Sequence, residues 1–119
     1  MNTVQKTFTK SDLQQNMIVR TNGGRYGIVV LKDATDENCI KYFYDPDRFD
    51  EHGMNPAWCG VDSLNNYDEN LYRLVPNPED PNKLDKIFRI VQVYKLSEIW
   101  CEGEVIPWNS NVEWVFERN

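Results

Sequence analysis

Met17-Ile18-Val19-Arg20-Thr21-Asn22-Gly23-Gly24-Arg25-Tyr26-Gly27-Ile28-Val29-Val30-Leu31 is the stretch on which the fold turns. Two runs rich in β-branched residues flank an Asn-Gly-Gly triplet, and Asn and Gly tolerate the positive φ angles that a tight hairpin turn requires. The spacing predicts a strand over 17–21, a turn over 22–24 and a returning strand over 25–31, with Ile18 opposite Ile28.

Upstream, Thr9-Lys10-Ser11-Asp12-Leu13-Gln14-Gln15 offers a capping residue ahead of one short helical turn, closed by Asn16. Downstream, Cys39-Ile40-Lys41-Tyr42-Phe43-Tyr44 is rich in strand formers, and either Tyr42 or Phe43 is expected to face inward. Asp45-Pro46 ends that strand. Pro46 to Gly60 reads as a long loop insertion, and order resumes at Val61-Asp62-Ser63-Leu64. Residues 65–71 read as a short helix or turn, and Tyr72-Arg73-Leu74-Val75 as a brief apolar run. Pro76-Asn77-Pro78-Glu79-Asp80-Pro81-Asn82 reads as linker-like because three prolines interrupt either periodic structure. Ile87 to Tyr94 is apolar on both faces in places and is predicted to be a central strand. Leu96 to Trp100 fits no single period, and Gly103 to Asn111 turns the chain. Val112 to Arg118 is a closing strand, with Val112, Trp114 and Phe116 on one face. Val91, Val93, Trp114 and Phe116 are the expected core. The whole is expected to be one mainly β domain over 1–119. It is a small antiparallel SH3-like barrel or roll with one short helical turn and a long loop insertion.

The 119 residues carry a net charge of -6, which argues against a duplex nucleic-acid surface and against a basic membrane patch. That charge is uneven: twelve of the nineteen acids fall between Asp33 and Asp80, against only Lys41, Arg48 and Arg73. The first thirty-two residues hold five bases and one acid, Asp12. The acidic stretch reads either as a recognition surface or as a solvated loop region. Fifteen aromatic residues (four Trp, six Tyr, five Phe) supply enough bulk for a small core despite a mean hydropathy of -0.66. Cys39, Cys59 and Cys101 are odd in number and far apart, with neither a signal peptide nor a membrane-length apolar run. Free thiols in a cytoplasmic setting are therefore expected.

Asp45, Asp47, Asp50 and Glu51 form the single acid cluster worth testing as a metal site. Phe49 and Asp50 stand where a calcium loop needs an oxygen ligand and a glycine, so no metal and no cofactor is expected. No acid spacing selects a carboxylate pair. His52 lies seven residues from Cys59, which reads more simply as a solvated histidine and an ordinary thiol than as a nucleophilic pair. Gly23-Gly24 lacks the lysine-bearing helix start of a phosphate loop. No catalytic residue is expected, and the chain reads as a non-enzyme. The grouping of Tyr42, Tyr44, Arg48, Phe49 and Trp58, with Tyr67, Tyr72 and Arg73 close by, suits stacking on a base or gripping a partner. Tyr44, Arg48 and Trp58 are the expected ligand or partner contacts, because binding residues concentrate on loops over a rigid scaffold. Their plainer alternative is core and loop anchoring.

Residues 8–19, Phe8-Thr9-Lys10-Ser11-Asp12-Leu13 through Met17-Ile18-Val19, and the hairpin after them resemble a loose group of small phage and prophage proteins of unknown role. The likeness continues through residues 62–71, Asp85-Lys86-Ile87, Val91-Gln92-Val93-Tyr94, and Trp114 with Glu117-Arg118. It departs at 32–60, which is longer and more acidic here. The resemblance implies a phage-encoded accessory protein in the host cytoplasm that antagonises a host function by binding. Two mechanisms are expected. A homo-oligomer could sequester a nucleotide-derived signal between aromatic and Arg side chains, or the acidic surface could occupy a basic channel on a host defence protein. A structural or housekeeping SH3-like module is the alternative from another class.

Overall fold

The structure, a computed structural model, describes residues 7–32, 37–43, 58–96 and 113–118. Within them are β1 (Met17–Thr21), β2 (Tyr26–Val30), β3 (Cys39–Phe43), β4 (Trp58–Ser63), β5 (Tyr72–Pro76), β6 (Leu84–Lys95) and β7 (Glu113–Glu117). Every pairing is antiparallel, in the order β4-β3-β2-β1-β6-β5, with β7 also on β6. The hairpin read from 17–31 forms as expected, with Ile18 opposite Ile28 and Gly24 at φ 86 in the turn. The predicted helical turn is a 3-10 turn over Lys10–Asp12, where the Asp12 carboxylate accepts the Thr9 N–H at 2.9 Å. A second 3-10 turn, Leu64–Asn66, leaves the end of β4 on the way to β5, with the Ser63 hydroxyl accepting the Asn65 N–H.

β6 is twelve residues long and central, serving β5 with its first half and β1 and β7 with its second. Two register shifts leave Ile87 and Val91 as extra residues on it. Bulges bend the strand that carries them and increase its twist, which lets one strand curl through two pairings. β4 and β5 stand at the two ends of the path, yet Asp62 of β4 meets Arg73 of β5 at 2.6 Å. Tyr67 also bridges to Arg73. The sheet therefore rolls until its ends meet through side chains. The result is a small, mainly β antiparallel roll.

Both faces of the sheet are buried. Inside the roll lie Phe8, Leu13, Val19, Val29, Ile40, Tyr42, Leu64, Tyr67, Leu71, Ile90, Val93 and Phe116. On the other face Ile18, Ile28, Val30, Cys39, Phe43, Tyr94 and Leu96 form a second cluster. Tyr42 and Phe43 are thus both buried, on opposite faces, where the sequence reading required burial of one.

Trp114 corrects the expected core. It is 40% exposed, whereas Phe116 is fully buried, so the two do not share a face. The cause is a register shift: Val93 pairs with Phe116 and Tyr94 with Trp114, leaving Val115 as a bulge. Residues two apart then fall on opposite faces, and Trp114 lies edge-on to Tyr94 at 5.1 Å. Val93 is buried as expected, and Val91, the extra residue of its own bulge, is only half-buried. Two element readings also change. Trp58 opens β4 rather than lying in the loop, and 76–82 is no linker, since Pro76 closes β5 and 77–83 form the turn of the β5–β6 hairpin.

Candidate functional site

The site is built from the inside outwards, beginning at a glycine. Gly27 pairs with Tyr42 across β2 and β3, and a Cβ at Gly27 would lie 2.5 Å from Ile40 Cγ2 and 3.0 Å from the Tyr42 ring. Its missing side chain lets Tyr42 lie close over the neighbouring strand, a use of interior strand glycines. Tyr42 thereby reaches Tyr67, and their hydroxyls share a short hydrogen bond. Tyr67 donates its hydroxyl proton to Asp62 at 2.8 Å, so its oxygen must accept the proton of Tyr42. Asn66 and Arg73 complete the carboxylate's shell at 3.0 and 2.6 Å.

Burial alone would push the Asp62 carboxyl up, but hydrogen bonds from Arg73, Asn66 and Tyr67 outweigh it and hold the group below its ordinary value. Burial pushes both Tyr42 and Tyr67 well above the ordinary phenol value, and the Asp62 charge adds to this. The chain of hydroxyls is therefore neutral at physiological pH and ends on an ionised, already paired carboxylate. It holds geometry and offers no free base.

The turn that presents Tyr67 and Arg73 is itself constrained. Asp68 accepts the N–H groups of Asn70 and Tyr72, each at 2.9 Å, and Leu71 sits at φ 68 with its side chain fully buried. A bulky residue in the left-handed region costs on the order of 1–3 kcal/mol and persists where packing over-determines it.

Tyr42 and Tyr67 present ring edges to Phe88, with centroids at 6.4 and 6.1 Å. The exposed Arg25 places its guanidinium over the Tyr42 ring at 5.9 Å. Arg25 and Phe88, with Thr21 and Gly23, line a cavity of about 200 Å³ at one end of the roll. The rigid network inside thus sets the positions of a cation and an aromatic wall that face solvent. On the other side of the β5–β6 ribbon, Tyr72 lies under both Lys86 and Arg89, at 4.4 and 4.3 Å.

Of the contacts expected from the sequence, Tyr44 and Arg48 lie outside the described residues, as does the side chain of Trp58. The same holds for the acid cluster at Asp45 to Glu51 and for His52. From the wider grouping, the structure joins Tyr42, Tyr67 and Arg73 in one network and puts Tyr72 on the opposite surface. Arg25, Asp62 and Phe88 read in the sequence only as strand or flanking residues. The excess of bases in the first thirty-two residues was the available signal, since Arg20 and Arg25 belong to it. Cys39 is buried in the second cluster. Among the described residues no group of three or more His, Cys, Asp or Glu could hold a metal ion, and no helix is long and apolar enough to cross a membrane. No family model, no curated protein and no solved structure matches the chain.

Proposed function

We propose that this is a non-enzymatic phage accessory protein that antagonises a host function by sequestering a nucleotide-derived small molecule at the Arg25–Phe88 end of the roll. The observation that carries the reading is that cavity: a cation and an aromatic wall held from behind by a buried, fully paired network. Such a pairing suits a planar, charged ligand. The network has no unpaired carboxylate to serve as general base, which favours capture over turnover.

The rival mechanism is occupation of a basic channel by the acidic surface. Of the six acids described between Glu37 and Asp80, Asp62 is committed to Arg73 and Asp68 to its own turn. Glu37, Glu69, Glu79 and Asp80 remain exposed and would be available to such a surface.

A thermal-shift screen with cyclic dinucleotides and ADP-ribose derivatives tests the proposal. A ligand at a hundredfold excess over its Kd raises stability by about 2.7 kcal/mol, a midpoint shift on the order of 10 °C. Arg25→Gln should abolish that shift. If Arg25→Gln keeps it and the pair Arg48→Ala, Trp58→Ala removes it, the site is the 44–58 segment instead. No shift with any member of the panel, together with capture of a basic defence protein, would favour the acidic surface.

A further inference from the structure

Resting on the reading of the Arg25–Phe88 end as a ligand site, we infer that this end binds the phosphate portion of a small phosphorylated ligand, with the turn 22–24 as its cradle. Two arginines flank that turn. Arg25 directly follows it, and Arg20 reaches within 3.9 Å of where a Gly24 side chain would begin. Arg89 is tied to it by backbone alone, the Asn22 N–H donating to the Arg89 carbonyl at 2.9 Å, while its guanidinium lies over Tyr72 on the other side of the β5–β6 ribbon. None of the three forms an ion pair among the described residues. Arg20 donates to Gln92, Arg25 rests on Tyr42, and Arg89 donates to the Asn70 carbonyl and lies over Tyr72. Arg73, by contrast, is matched to Asp62 at 2.6 Å.

In a chain of net charge -6, two arginines at one turn with no carboxylate partner among the described residues mark a local reversal of sign. Charges more than about 8–10 Å away are largely screened at physiological salt, so the nearby arginines govern what this end attracts. The lining agrees. The Lys10–Leu64 cavity includes Glu69 and the Phe8–Met17 cavity includes Asp12, whereas the described lining of this one, Thr21, Gly23, Arg25 and Phe88, brings no carboxylate. Thr21 is buried, and its hydroxyl accepts the Arg25 N–H at 3.1 Å, which leaves its own proton to donate. The Gly23 N–H has no acceptor among the described residues. A guanidinium, a hydroxyl proton and a backbone N–H around one cavity are the donors an oxyanion needs. At about 200 Å³ the space takes a phosphate or diphosphate group, while sites for whole drug-sized ligands run from about 300 Å³. The rest of the molecule lies outward, against Phe88.

Titration calorimetry on the full chain with pyrophosphate, ADP and adenosine tests this. Pyrophosphate and ADP should bind, and adenosine should bind at least about tenfold more weakly than ADP. Arg25→Gln should weaken ADP and pyrophosphate about tenfold with the melting midpoint unchanged, and Arg25→Lys should recover part of the loss. Added salt should weaken both. Adenosine binding as tightly as ADP, with Arg25→Gln weakening both equally, would overturn the phosphate assignment and leave the ligand site standing. Pyrophosphate binding that Arg25→Gln does not touch would overturn it by placing the phosphate elsewhere. A single-stranded oligonucleotide bound far more tightly than ADP would replace the small ligand with a polymer. Failure of all three probes would remove both the site and the assignment.

Discussion

Gly27 and Tyr42 show how far single residues reach in this fold. An alanine at position 27 would press its methyl into Ile40 and the Tyr42 ring, and over-packing of this kind costs about 1–3 kcal/mol. Gly27→Ala should therefore lower the urea midpoint and also weaken ligand binding, because Tyr42 supports Arg25. Removing Asp62 has a different origin. Asp62→Ala leaves the Arg73 guanidinium and the Tyr67 hydroxyl without their acceptor, at a cost of about 3 kcal/mol read from the same denaturation curves. Titration adds a pH dependence with two signs. Asp62 has its folded value lowered, so its contribution is present above about pH 4 and lost as pH falls through the folded value. Tyr42 and Tyr67 have theirs raised, so their contribution is complete below about pH 10 and declines as pH rises beyond it. Phenolate absorbance should show Tyr42 and Tyr67 failing to ionise until the protein unfolds, with Tyr94, which burial pushes up to about 12, lagging as well. Ionisation of all six tyrosines in the folded state would contradict the network. An interior glycine in a strand pattern is legible in a sequence as a place of close approach. Which ring approaches depends on a partner fifteen residues away, and the strand pattern does not name it.

At the scale of elements, β7 shows what alternation can and cannot reveal. Trp114 and Phe116 are two apart, and a regular strand would bury both. The bulge at Val115 sends them to opposite faces. Phe116→Ala should then cost about 3–5 kcal/mol by chemical denaturation, while Trp114→Ala should cost under about 1.5 kcal/mol. A large loss at Trp114 with little at Phe116 would mean that the register is wrong. The first hairpin was legible because Asn-Gly-Gly fixes a turn locally and both flanks carry the same period. The β5–β6 hairpin was hidden by its prolines. Pro76 ends β5, and the turn is held instead by Asn77, whose side chain accepts the N–H groups of Glu79 and Asp80 and donates to Asp85 at 3.0 Å. Prolines at strand ends and in turns need no ladder hydrogen bond, so three of them did not preclude a hairpin.

For the molecule as a whole, strands and their antiparallel order follow from turns and periods that a sequence displays. Closure does not, since it rests on Asp62 and Arg73, eleven residues apart, meeting across the two ends of the sheet. The acidic balance of the chain is legible in the sequence, and it points to 33–80. Less conspicuous is the opposite end, where Arg20 and Arg25 flank a turn that the Asn22 N–H ties to the backbone of Arg89, more than sixty residues later. If this basic turn end takes a phosphorylated, nucleotide-derived ligand, its backbone must respond to one. Amide resonances followed by NMR during titration of the full chain with ADP-ribose are the decisive check. Saturable shifts centred on Gly23, Gly24 and Arg25 are expected, with smaller ones at Phe88. Shifts centred elsewhere, or saturation without any movement at Gly23 and Arg25, would contradict ligand binding at this turn.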